Sequence, residues 1–171
     1  MNAAAASAVV IGIGNVLLSD EGVGVHAIRA LMDRYAFPEG VLLIDGGNKG
    51  LELLPYIEGD HLMLIDAVDF GEPPGTVRVM EGDEIHAFLD MKFSVHQIGV
   101  PDLLFAAMLT GVLPLNLCLV GIQPESLEAG LELTGTVRGK MDELLGLAVE
   151  ELRSWGIEVK EAASGVPCDS L

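Results

Sequence analysis

Five short runs dominate this chain, and most are apolar at odd and even positions alike: AVVIGI (8–13), VLLID (41–45), HLMLIDAV (61–68), TVRVME (76–81) and LCLVGI (117–122). A strand with one solvated face alternates apolar and polar residues, so continuous runs belong to strands covered on both sides. Helical periodicity fills the gaps. From Gly22 to Tyr35, the residues Val23, Ala27, Leu31 and Tyr35 share one stripe, with Ile28 and Met32 beside it. A second helix fits 99–109, with Pro101 in its first turn. A third fits about 136–155, with Val137, Met141, Leu144, Leu145, Ala148 and Leu152 facing inward and Gly156 at its C-terminal end. Strands alternating with helices predict an α/β fold: a single domain of three layers, a twisted, mostly parallel sheet with helices on both faces. The domain is expected over residues 1–160, and residues 161–171, which show no apolar periodicity, are expected to form a flexible tail.

A chain of 171 residues is long enough for one core. Half of its residues are apolar, which argues against disorder, yet no uninterrupted apolar stretch approaches the roughly 20 residues that span a bilayer. Its 26 acidic residues against 9 basic ones give a formal charge of −17, the wrong sign for binding nucleic acid or anionic lipid. No Lys or Arg precedes the first apolar run, so the alanine-rich start does not read as a secretory signal, and a cytoplasmic location is expected. The two cysteines, Cys118 in an apolar run and Cys168 in the tail, form neither a CxxC pair nor a disulfide framework.

The first run leads into GIGNVLLSDEGVGVH (12–26), a glycine turn that opens a helix. A dinucleotide fingerprint needs a third glycine where Leu17 stands, and a P-loop needs Gly-Lys-Ser or Gly-Lys-Thr, so no nucleotide is expected. Gly12 and Gly14 instead allow a tight turn, and Ser19 or Asp20 is expected to cap the helix. Capping does not require two adjacent acids, and Glu21 should project toward the strand ends. Asp66 directly follows four apolar residues, where a carboxylate must be hydrogen-bonded, bound to a cation or protonated. Asp69 is expected to face solvent. Among the histidines, His26, His61 and His86 read as surface or satisfied residues, whereas His96, in SVHQIG before a helix, can reach the strand edge. Ligands in an open parallel sheet bind at the carboxyl ends of its strands. Glu21, Asp66 and His96 together would offer oxygen and nitrogen ligands suited to zinc, nickel or a similar divalent ion. No GxSxG nucleophile is present, and Cys118 reads as core.

GIGNVLLSDEGVGVH, IDGGNKGLELL (44–54), HLMLIDAVD (61–69), SVHQIGVPDLL (94–104) and LVGIQPESLE (119–128), taken in order, resemble the hydrogenase maturation proteases. These endopeptidases trim the large subunit of nickel-iron hydrogenases. The resemblance implies that Glu21, Asp66 and His96 are the metal-binding and catalytic residues, and that Asp45 and Gly46 of the DGG motif take part in substrate recognition. It implies removal of a C-terminal extension after nickel insertion, with the substrate's own nickel as the divalent metal that is read. The partner it implies is a nickel-carrying hydrogenase large-subunit precursor, and the chain is expected to meet it as a monomer.

Two mechanisms remain open from the residues: a metal-assisted attack of water, or a pair of carboxylates sharing a proton. Two other functions use the same residues. One is a non-catalytic metal-centre chaperone or checkpoint protein for the same subunit; the other is a different metal-dependent hydrolase on a similar scaffold.

Overall fold

The computed structural model describes residues 6–85, 87 and 100–162. The apolar runs form the strands β1 (Ala6–Ile13), β3 (Val41–Gly47), β4 (Gly59–Ala67), β5 (Val77–Glu81) and β6 (Asn116–Ile122), in one sheet of order β3-β1-β4-β6-β5. Neighbours from β3 to β6 are parallel, and β5 runs antiparallel to β6. A parallel return needs a crossover of a dozen or more residues. Residues 68–76 are too few for one, so the chain turns over the end of the sheet and comes back down as β5. Two further strands, β2 (Tyr35–Ala36) and β7 (Lys160–Glu161), pair as a small antiparallel ribbon.

Alternate residues of each strand feed two separate cores. Ala8, Val10, Met63, Ile65, Cys118 and Val120 pack under α1 (Val23–Arg34) and a C-terminal helix, while Val9, Ile11, Leu62, Leu64 and Leu119 pack on the other face. That second face is covered by α2 (Val100–Thr110) and by a 3-10 segment, Gly50–Tyr56, which has Pro55 inside it. Each fully buried Leu or Ile contributes about 1.5–3 kcal/mol of apolar transfer free energy. Sheet and flanking layers therefore agree with the three-layer α/β expectation.

Two helical details differ from it. Met32 lies outside the buried stripe and is 47% exposed. The expected third helix is two: α3 (Gly135–Arg138) and α4 (Met141–Ser154). Thr134 caps α3 by accepting the Val137 N–H at 3.3 Å, and the Lys140 N–H bonds three residues back to Val137, which tightens the chain before α4 begins. Gly156 ends α4 as expected, at φ 81°, donating to the Arg153 carbonyl. Among the described residues no helix is long and apolar enough to cross a membrane.

Candidate active site at the strand ends

From β1 the chain passes through α1 to β3 on one side, then returns across to β4 on the other. The carboxyl ends of β1 and β4 thus straddle the point where strand order reverses, the place where open α/β sheets bind ligands. Asp66 lies at the end of β4, in register with Gly121 of β6. It is half-buried, and its Oδ1 accepts the Ala67 N–H at 2.8 Å.

Glu21 reaches the same edge from β1. It lies in a 3-10 turn, Ser19–Gly22, that packs against β4. Gly14, at φ 138°, makes this possible: a Cβ there would sit 1.7 Å from the Glu21 carbonyl oxygen. Glu21 is half-buried, and that burial raises its carboxyl above the usual glutamate range.

The neighbouring Asp20 does something else. It is fully buried and accepts four hydrogen bonds: the N–H groups of Glu125 (2.9 Å), Ser126 (3.1 Å) and Thr134 (2.8 Å), and the Thr134 hydroxyl (2.9 Å). Neither Asp20 nor Ser19 caps α1, because no side chain bonds its first turn. Ser19 is held at φ 48° by its own N–H to Gly130 and by its hydroxyl to the Glu128 carbonyl at 2.9 Å. The pair of acids therefore divides its work: Asp20 fastens the loop after β6, and Glu21 stays half-buried in a turn packed against β4.

Asp45 stands at the end of β3, half-buried, and its Oδ2 accepts from Arg29 of α1. Gly46 is buried where a Cβ would meet Ile11 Cγ2 at 2.7 Å and the Gly12 carbonyl oxygen at 3.0 Å. At the end of β6, the buried Gln123 takes the N–H groups of Phe70 (2.7 Å) and Glu72 (3.4 Å) on its Oε1 and donates to Asp69 Oδ1 at 3.2 Å. Asp69 is exposed, as expected, yet it also anchors this loop. The roles of Asp20, Gln123 and Arg29 carry no local sequence signal, because each meets its partners across a long stretch of chain.

His96 lies outside the described residues, as do His86 and Cys168. His26 is half-buried in α1, and burial, with Arg29 and Arg138 nearby, lowers its pKa. His61 stacks on Trp155, ring centroids 4.6 Å apart. Cys118 is core; burial, together with Glu151 and Glu81, pushes its thiol pKa up, which suits no nucleophile. Among the described residues no three His, Cys, Asp or Glu side chains converge as a metal-binding group; Glu21 and Asp66 are the two described members of the expected set.

A model of the hydrogenase maturation protease family matches residues 25–151. The chain belongs to the hydrogenase maturation protease family. It is 45% identical over 158 residues to the hydrogenase expression/formation protein HupD of Rhodobacter capsulatus, covering 91% of this chain and 75% of that protein. It is 42% identical over 151 residues to the hydrogenase 2 maturation protease of Escherichia coli, covering 87% of this chain and 92% of that one. Among solved structures, the hydrogenase maturating endopeptidase HybD from E. coli superposes with a TM-score of 0.83 at 40% identity, covering 90% of this chain and 96% of that one. As a hydrogenase maturation protease the chain is a peptidase, and the fold expected from its apolar runs is the fold of these relatives.

Proposed function

We propose that this protease removes the C-terminal extension of a nickel-iron hydrogenase large-subunit precursor after nickel has been inserted, and that it reads the nickel the substrate carries. The observation that carries this is the delivery of Glu21 and Asp66 to one edge at the reversal of strand order, in a chain of this family. A half-buried Glu21 whose ionised form is disfavoured suits a cation, since a positive charge offsets the desolvation that burial imposes.

Glu21, Asp66 and His96 would hold the substrate's nickel, which supplies Lewis-acid polarisation of a carbonyl or of water. Apart from that, the chain's own groups present carboxylates to the bound tail, and one of them takes the proton of the attacking water. A nickel-free precursor brings no charge to offset these acids and is left uncut.

The test is the intact mass of a large-subunit precursor, nickel-loaded and nickel-free, before and after incubation with the protease. Loss of a C-terminal peptide from the loaded form alone is expected. Loss from both forms would remove the nickel requirement, and a stable complex without loss would make the protein a checkpoint rather than an enzyme for this substrate. Asp66→Asn keeps the side chain's size and is expected to abolish cleavage while the far-ultraviolet circular dichroism stays unchanged.

A further inference from the structure

Arg29 holds Asp45 in an uncommon way. An Arg–carboxylate fork usually uses both carboxylate oxygens. Here Nε at 3.0 Å and Nη2 at 2.8 Å converge on Oδ2 alone. Among the described residues Oδ1 has no hydrogen-bond partner, the Asp45 side chain is 38% accessible, and the space beside Gly47 is open: a Cβ there would meet only this oxygen, at 4.0 Å. The clasp therefore fixes the carboxylate through one oxygen and leaves the other as an acceptor beside a backbone without a side chain.

The same segment is tied to the catalytic edge. The Gly47 carbonyl accepts the Gly14 N–H at 2.8 Å, and Gly14 abuts the Glu21 carbonyl. Arg29 itself extends from α1, the helix that follows the Glu21 turn. Asp45 is thereby fixed relative to Glu21 from two directions, by Arg29 through its side chain and by Gly47 through its backbone.

We propose that Arg29 is a positioning residue, which orients Asp45 so that its Oδ1 accepts a main-chain amide N–H of the precursor's tail. A neutral donor is favoured because Arg29 already balances the Asp45 charge, leaving the pair to offer a directed lone pair rather than a net charge. An extended peptide crossing the strand ends presents such N–H groups at regular intervals, whereas a basic side chain would compete with Arg29 for the same carboxylate. The pair is too exposed for its loss to unfold the protein: the side chains are 57% and 38% accessible, the range in which ion pairs contribute little to stability.

This inference rests on the proposed cleavage of a hydrogenase precursor, and kinetics on the nickel-loaded precursor separate the two. Arg29→Met is expected to raise KM about ten-fold, the cost of one lost directed hydrogen bond, while kcat stays within about two-fold and the melting temperature is unchanged. Asp45→Ala should match it, and the double variant should be no worse than either single one, because the two residues act as a unit. Arg29→Lys, which restores charge without the two-pronged clasp, should recover only part of the affinity. A wild-type KM for Arg29→Met, or single effects that multiply in the double variant, would overturn the positioning role while leaving the protease assignment intact. If the wild-type protein cuts no precursor, the proposed function fails, and this inference with it.

Discussion

Asp20 and Glu21 are adjacent acids with opposite demands on their surroundings. Asp20 is saturated with four donors and has no accessible surface, whereas Glu21 is half-open and its ionised form is disfavoured. Asp20→Ala strands three main-chain N–H groups and a hydroxyl, and the expected cost is about 3 kcal/mol, or roughly 6–12 °C in melting temperature. Thermal unfolding followed by circular dichroism checks it; a loss under about 1 kcal/mol would mean water replaces the carboxylate. Glu21→Gln should do the reverse: abolish cleavage yet leave the protein at least as stable at pH 7. The sign follows from linkage, since a carboxyl pKa raised by folding makes the ionised form a liability that grows as pH rises above the unfolded value, about 4.3 for glutamate. Only half of this division was legible in the sequence. That the two adjacent acids should not share one role followed from their redundancy, but the partners of Asp20 lie 105 to 114 positions away and leave no local trace.

The elements that deliver these residues depend on one close contact between helix and sheet. A Cβ on Gly24 of α1 would lie 2.2 Å from the carbonyl oxygens of both Ile13 and Ile65, so Gly24→Ala must lift α1 away from β1 and β4. Because both obstacles are backbone, the expected penalty is about 3 kcal/mol or more, with loss of activity in whatever folds, since the Glu21 turn moves with the helix. Chemical denaturation of Gly24→Ala beside Gly146→Ala, a helical site with nothing within 4 Å, gives the comparison. A second element contact is sensitive to pH. Glu81 of β5 has its carboxyl raised above the usual range by a hydrogen bond to Glu151 of α4, then by burial and by the charge of Glu151. Stability from this contact is present at acid pH and declines as pH rises through the raised value. Glu81→Gln keeps a donor and should flatten that decline, which melting curves between about pH 4 and pH 7 will show. Strand positions were legible because burial on both faces forces continuous apolar runs. The antiparallel sense of β5 was not, because direction is set by connection length rather than by the strand's own residues. The break between α3 and α4 was also hidden, since Val137 and Met141 fall on one helical stripe whether or not the chain pauses between them.

At the scale of the whole molecule, charge is the feature that no single contact balances. Five exposed ion pairs are described: Arg29 with Asp45, Arg34 with Asp142, Arg138 with Glu132, Lys140 with Glu143, and Lys160 with Glu158. They engage five of the nine basic residues, while 26 acids share the chain, so most carboxylates repel one another without a local counter-charge. Added salt acts on both terms. It weakens exposed pairs, each contributing about 0–1 kcal/mol, and it screens a repulsion summed over the whole surface, which a net charge of −17 makes the larger quantity. The melting temperature should therefore rise by a few degrees between about 20 mM and about 500 mM sodium chloride, as the screening length shrinks well below the size of the domain. Differential scanning fluorimetry over that range is sufficient, with sodium sulfate at matched ionic strength to separate screening from preferential exclusion. A fall instead of a rise would show that the five pairs outweigh the repulsion. The acidic surface would then be stabilising through local pairing, and Arg29→Met would lower the melting temperature as well as substrate affinity.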